Sequence, residues 1–226
     1  MTNHKLSPSD FAFLWDQCKR CFWLKKVKNI APPGGPFPRV FTILDEAQKT
    51  YFRGRHTRDI MGKMPKGQFV YADGWAVSKP LEFQDLGVSL QIRGKYDSIL
   101  KLDRGGYCLM DFKTTITTKD TFDKYARQLH SYVYALANPD KPEKLLAPIK
   151  KIGLLCFEPT QMNEDKLNKQ QYNYVTHATW LGDDVDMDGF TTFLRSVAEV
   201  LAGPVPDAGE KCELCAYRDK ARGITE

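Results

Sequence analysis

The sequence predicts an α/β fold, a mixed central sheet flanked by helices. Three observations carry this. Segments of alternating apolar and polar residues at 88–102 and 107–115 flank a Gly-rich turn. A mostly apolar run, Ile149–Phe157, reads as a buried central strand. Stretches with helical periodicity precede, separate and follow these strands, the order expected of sheet and helices packed in layers.

Ser7-Pro8-Ser9-Asp10 reads as a helix start, with Ser7 as cap and Pro8 at the first position, and the helix is expected to reach about Arg20. Ala31 to Pro38 holds four prolines and two glycines and breaks structure. Val40, Ile43, Leu44, Ala47 and Tyr51 recur at helical spacing, which predicts a helix from Arg39 to about Ile60. One or two strands are expected between Lys66 and Pro80, a helix from Thr118 or Asp120 to Ala137, a strand over 172–180 and an amphipathic helix over 184–201.

The chain has 226 residues and a formal charge of +5. Length fits a single domain over 1–226, with 6–30 and 203–218 forming a lobe around the cysteines. The mildly basic balance permits nucleic-acid binding without requiring it. No apolar run is long enough to span a bilayer, and 1–10 lacks a signal-peptide pattern, so a cytoplasmic protein without membrane contact is expected.

The chemistry-bearing pattern is on the hairpin. If Asp103-Arg104-Gly105 forms a three-residue loop, Leu102 pairs with Gly106, and counting outward brings Asp97 opposite Asp111. Opposed side chains share a face roughly 5 Å apart at Cβ. Lys113, two residues beyond Asp111, shares that face, while Met110 and Phe112 point to the other. Two carboxylates so close favour a cation between them. A divalent ion such as Mg²⁺ suits oxygen ligands and activates water and phosphodiesters. The same spacing is also met by two solvated acids on an exposed sheet, and a one-residue change in the turn would separate them.

Gly94-Lys95-Tyr96-Asp97, Asp111-Phe112-Lys113 and Gln128-Leu-His-Ser-Tyr132 together resemble the RecB-like branch of the PD-(D/E)XK nuclease superfamily. That branch carries G-x-x-D, (D/E)-x-K and Q-x-x-x-Y in this order. The resemblance covers about residues 6–218 and implies a restriction-endonuclease-like fold and a metal-dependent DNA nuclease, with single strands or duplex ends as substrate. It implies Asp97, Asp111 and the Phe112 carbonyl as ligands of Mg²⁺ or Mn²⁺, Lys113 as catalytic lysine, and Gln128 and Tyr132 as a helix face that positions DNA. Where relatives often carry a histidine ligand, this chain has Asp45, with Glu46 beside it. Glu82 resembles a supporting acid of relatives. Oligomeric state is left open.

Cys18-x-x-Cys21 and Cys212-x-x-Cys215 supply four thiolates near opposite ends of the chain. Four suit a structural Zn²⁺ or a 4Fe–4S cluster, which would staple the termini together. This arrangement is similar to the CRISPR-associated four-cysteine exonucleases. There the split is one and three; here it is two and two. Cys108 and Cys156 read as core residues, and His130 and His177 as structural. Lys19, Arg20, Lys25 and Lys26, interleaved with Phe22 and Trp23, and Arg53, Arg55, His56 and Arg58 are candidate phosphate and base contacts.

Overall fold

In the computed structural model the described residues are 1–168 and 170–225. The strands are β1 (Thr2–Leu6), β2 (Gly67–Val77), β3 (Leu81–Phe83), β4 (Val88–Leu102), β5 (Tyr107–Thr114), β6 (Ile149–Glu164) and β7 (Tyr172–Asp184). The helices are α1 (Pro8–Asp10), α2 (Lys19–Val27), α3 (Arg39–Phe52), α4 (Thr121–Ala137), α5 (Met187–Ala202) and α6 (Glu213–Thr225). The sheet runs β1-β4-β5-β6-β7, with β2 and β3 also paired to β4. It is mixed: β1–β4 and β5–β6 are parallel, and the other pairs are antiparallel. The expected architecture is therefore present.

Both faces of the sheet are covered. On one, Leu129, Val133 and Leu136 of α4 and Leu194, Val197 and Leu201 of α5 pack over Ile99, Leu109, Ile152 and Leu154. Their three- and four-residue spacing puts them on one stripe of each helix. Each such side chain contributes about 1.5–3 kcal/mol by leaving water. On the other face Phe52 stacks on Phe112 at 5.4 Å and on Phe69 at 5.4 Å, above Leu100, Cys108, Met110 and Leu155. Cys108 and Cys156 are buried core residues, as expected.

Several expectations need correcting. The first helix does not run to Arg20. α1 continues as a wider π-helical turn, Phe11–Trp15, and the chain then breaks. Cys18 is extended (φ −165°), and its sulfur takes the cap position of α2, accepting the Cys21 N–H. Ser7 sits at the predicted start, but its side chain makes no cap hydrogen bond. α3 ends at Phe52, not near Ile60, and Gly54 just beyond it is left-handed (φ +74°). β1 was not foreseen: five residues with two buried positions carry too little periodicity. β6 and β7 extend well past the apolar stretch as an exposed two-stranded ribbon.

Candidate active site

The hairpin forms as the turn residues dictate. Gly105 is left-handed (φ +78°) and donates to the Leu102 carbonyl, while Leu102 N–H donates to Gly106. Ser98 pairs with Met110, Ile99 with Leu109 and Leu100 with Cys108. The same register carried one step further sets Asp97 across from Asp111. Backbone pairing stops there. Instead the Phe112 N–H donates to Asp97 Oδ2 at 3.0 Å. The strands part at this point, and Asp97, Asp111, Lys113, Gln128 and Tyr132 line an open cavity of about 510 Å³ together with Asp45.

Gly94 of the G-x-x-D motif has a steric reason. A Cβ there would lie 2.7 Å from Pro8 Cδ and 2.9 Å from Tyr132. The missing side chain lets α1 and α4 close on β4 behind Asp97. Tyr132 is itself buried, its hydroxyl donating to the Lys95 carbonyl at 2.8 Å. Gln128 is buried beside Asp111, its amide N–H 3.4 Å from Asp111 Oδ1. Both residues thus brace the strands and the acid within the protein.

The sequence reading missed two residues of this neighbourhood, Lys49 and Asp73. Asp73 lies between the pairs Ala72–Ser98 and Gly74–Tyr96, across β2 from Asp97. Its left-handed backbone (φ +57°) is a strained state that aspartate tolerates better than most residues. The Asp-Gly dipeptide inside a strand was the available signal. Asp73, Asp97 and Asp111 therefore stand abreast on three strands. The buried Lys49 ammonium is 2.9 Å from Asp97 Oδ1, 2.9 Å from Asp73 Oδ1 and 2.7 Å from Asp45 Oδ2. Lys95 also reaches Asp73 at 3.1 Å, and Lys113 pairs with Asp111 Oδ2. Asp45 lines the cavity, but the oxygen nearest Lys49 is engaged by it. Glu46 is exposed and so is Glu82 on β3, both outside the cavity lining.

Four carboxylates here face three ammonium groups. Asp111 is 3 % exposed, and its Oδ2 and Gln128 Oε1 lack a hydrogen bond of acceptable geometry. Burial, with added repulsion from Asp97, pushes the Asp111 carboxyl up to about 7 even though Lys113 counters it. Burial opposes the charge of Lys113, yet Asp111 outweighs it and holds the lysine protonated. Lys49 is likewise buried, and Asp97 with Asp45 and Asp73 keeps it charged. Two adjacent carboxylates, one of them buried and pushed toward its neutral form, are oxygen donors that fit a hard divalent cation. Asp45 lines the same cavity, and Lys49 bridges it to Asp97.

The cavity rim is aromatic. Phe13, Phe37 and Phe41 line it and are exposed, with Phe37 and Phe41 in contact at 5.7 Å. Tyr125 lies under the Lys113 ammonium, 4.6 Å from ring centre to nitrogen. The basic cluster on α2 does not serve as expected. Phe22 and Trp23 are buried and unable to stack on bases. Lys25 and Lys26 each bind the buried Asp10 at 2.6 Å, and Arg20 bonds the Pro206 carbonyl. Lys19 lies over Trp15. In the second cluster, Arg55 packs on Tyr51 and His56 pairs with Asp103, while Arg53 and Arg58 are exposed. His130 is structural, joining the Ala126 carbonyl to the Asp186 N–H, and His177 is exposed on β7.

The four predicted cysteines converge. All are buried and all four sulfurs lie within 4.8 Å of one another. Among the described residues this is the one such compact group of three or more Cys, His, Asp or Glu side chains. It joins the N-terminal region to the C-terminal one. Cys18 also accepts N–H bonds from Cys21 (3.5 Å) and Gly209 (3.3 Å). Those donors overcome the burial that would raise its thiol and bring it down to about 7, whereas burial pushes Cys21 and Cys215 up.

Residues 37–220 match the PD-(D/E)XK nuclease superfamily, and the chain belongs to it. Membership points to metal-dependent nuclease chemistry on nucleic acid. A solved structure described as "Crystal structure of SSO0001" is similar, with a TM-score of 0.53 and 13% identity over 95% of this chain and 84% of that one. At that identity the likeness concerns the fold. No curated protein matched the chain. Among the described residues no helix is long and apolar enough to cross a membrane.

Proposed function

We propose that this protein is a Mg²⁺- or Mn²⁺-dependent DNA nuclease that removes nucleotides from strand ends. The meeting of Asp97, Asp111 and Lys113 in one cavity carries this reading. Asp97, Asp111 and the Phe112 carbonyl would hold the ion. When bound, it supplies Lewis acidity toward a phosphodiester oxygen and toward water. Lys113, kept charged by Asp111, presents its ammonium to the phosphate, where it offsets negative charge that grows during hydrolysis. Gln128 donates to one Asp111 oxygen, and Lys113 pairs with the other. Tyr132 holds β4 against α4 and so sets the spacing of Asp97 from that helix.

The exonuclease mode rests on the aromatic rim. Phe13, Phe37 and Phe41 offer faces on which unpaired bases stack, an interaction that favours frayed or single-stranded ends over intact duplex. The three-motif set favours the RecB-like branch, and the terminal cysteines a structural metal centre, zinc or iron–sulfur, like that of the CRISPR-associated exonucleases.

One observation favours a second reading, a catalytically silent, metal-stapled nucleic-acid-binding or scaffold module. Lys49 sits among Asp45, Asp73 and Asp97, so an ammonium already supplies positive charge there. Labelled single- and double-stranded DNA incubated with Mg²⁺ or Mn²⁺ separates the two. The nuclease reading expects nucleotide release by wild type and none by Asp111→Asn. Equal behaviour of both proteins in every metal would leave only the binding module.

A further inference from the structure

The geometry of the four cysteines points to a single tetrahedral ion, Zn²⁺ by its chemistry, rather than a 4Fe–4S cluster. We infer this on top of the reading that the cysteines hold a structural metal, and it decides between the two groups that reading leaves open.

The argument is one of distance. Cys18 Sγ is 3.8 Å from Cys215 Sγ, and Cys21 Sγ is 3.7 Å from both Cys212 and Cys215. A disulfide needs about 2.05 Å, so none of these pairs is one. A zinc–sulfur bond of about 2.3 Å, placed at the corners of a tetrahedron, sets sulfurs about 3.8 Å apart. In a 4Fe–4S cluster each thiolate binds a different iron at a corner of the cube, which spreads the sulfurs to roughly 6 Å. The observed separations match the first figure. Three pairs stand at 3.7–3.8 Å and no pair exceeds 4.8 Å, so the space among the sulfurs is that of one ion.

The surroundings oppose expansion. Cys18 is held from two directions, by the Cys21 N–H at the start of α2 and by the Gly209 N–H in the segment before Cys212. A Cβ on Gly209 would lie 2.7 Å from the Gln17 carbonyl oxygen, so that segment is packed directly on the Cys18 turn. Moving the two Cys-x-x-Cys turns apart by some 2 Å, the gap between a one-ion and a four-iron site, would break the Gly209 N–H···Cys18 bond that ties one turn to the other. Two pairs contributed symmetrically, each with its first cysteine just before a helix, also suit one centre bound by four equal ligands. Arg218, 3.8 Å from Cys215 Sγ, offsets part of the charge that four thiolates place on a divalent ion.

The test is metal and sulfide analysis of the full chain purified without oxygen, followed by anaerobic incubation with ferrous iron and sulfide. The expected result is one zinc per chain, no acid-labile sulfide, no colour, and X-ray absorption showing four sulfur neighbours without metal–metal scattering. Incorporation of four irons with sulfide, and broad absorption near about 400 nm, would overturn the single-ion inference while leaving a structural metal centre in place. A chain that binds neither metal as isolated, and takes up neither zinc nor iron afterwards, would remove both. Asp111→Asn protein assayed in parallel keeps the question separate from hydrolysis, because its zinc content is expected to equal that of wild type.

Discussion

The carboxylate cavity and the cysteine cluster are both donor sets suited to a metal, and they differ in what balances their charge. In the cavity, Asp45, Asp73, Asp97 and Asp111 are interleaved with Lys49, Lys95 and Lys113. In the cluster, four sulfurs lie within 4.8 Å of one another, with two backbone N–H groups on Cys18 and Arg218 beside Cys215. A site balanced by ammonium groups folds without its ion and can exchange it, as a catalytic site must. A site of bare thiols gains its order from the ion. This is the general contrast between open catalytic and closed structural centres.

The largest expected effect separates the two centres by function. Asp111→Asn should lower DNA cleavage on the order of 10³-fold, because the ion and Lys113 both lose their carboxylate partner. The same substitution leaves Lys113, buried beside it, without its carboxylate, so thermal unfolding should also show a loss of stability. Cleavage equal to that of wild type would mean that the acid serves only to pair Lys113.

Next comes Cys212→Ser, which should cost several kcal/mol and lower Tm by roughly 10 °C, since metal binding there is folding free energy. Chelator treatment of wild type should have the same effect. Wild-type melting unchanged by metal removal would break the contrast from the other side.

Lys49→Met sharpens it. Leaving Asp45, Asp73 and Asp97 without their shared ammonium should destabilise the protein by about 3 kcal/mol in the absence of divalent ions, as for a buried pair that loses one partner. Added Mn²⁺ should restore part of that loss in denaturant titrations. No restoration would show that the three carboxylates do not converge enough to share a cation.

The smallest effect concerns Asp10, the acid that ties α1 to the last turn of α2. Burial opposes its charge, but Lys25 and Lys26 outweigh burial and hold the carboxyl below its usual range. Its contribution is then full above the ordinary carboxylate pKa and is lost as pH falls through the lower folded value. Asp10→Asn should cost about 2 kcal/mol at neutral pH. Wild type and variant should converge in acid, and a gap independent of pH would contradict this.

Much of this was legible in the chain. The Gly105 turn fixes the hairpin register, and that register alone places Asp97 and Asp111 together. Periodicity found α4 and α5 because their apolar stripes are long. The pairs of cysteines announced themselves by spacing. Lys49 and Asp73 were hidden for a physical reason: a buried ion pair draws its partners from distant segments and leaves no local period. The same holds for Asp10, whose two lysines resembled a solvated basic face. Phe22 and Trp23 have charged neighbours in sequence that suggest exposure, although burial is set by α2 packing on α5 and β1. The break at Cys18 overrode local helix preference, since the cysteine must turn its sulfur to the cluster.

Anomalous diffraction from crystals grown with Mn²⁺ tests the account most directly. The predicted result is a manganese peak between Asp97 and Asp111, with Lys113 still beside Asp111 and no manganese among the cysteines. Carboxylates without manganese, their oxygens still held by Lys49 and Lys113, would contradict a metal-dependent nuclease site.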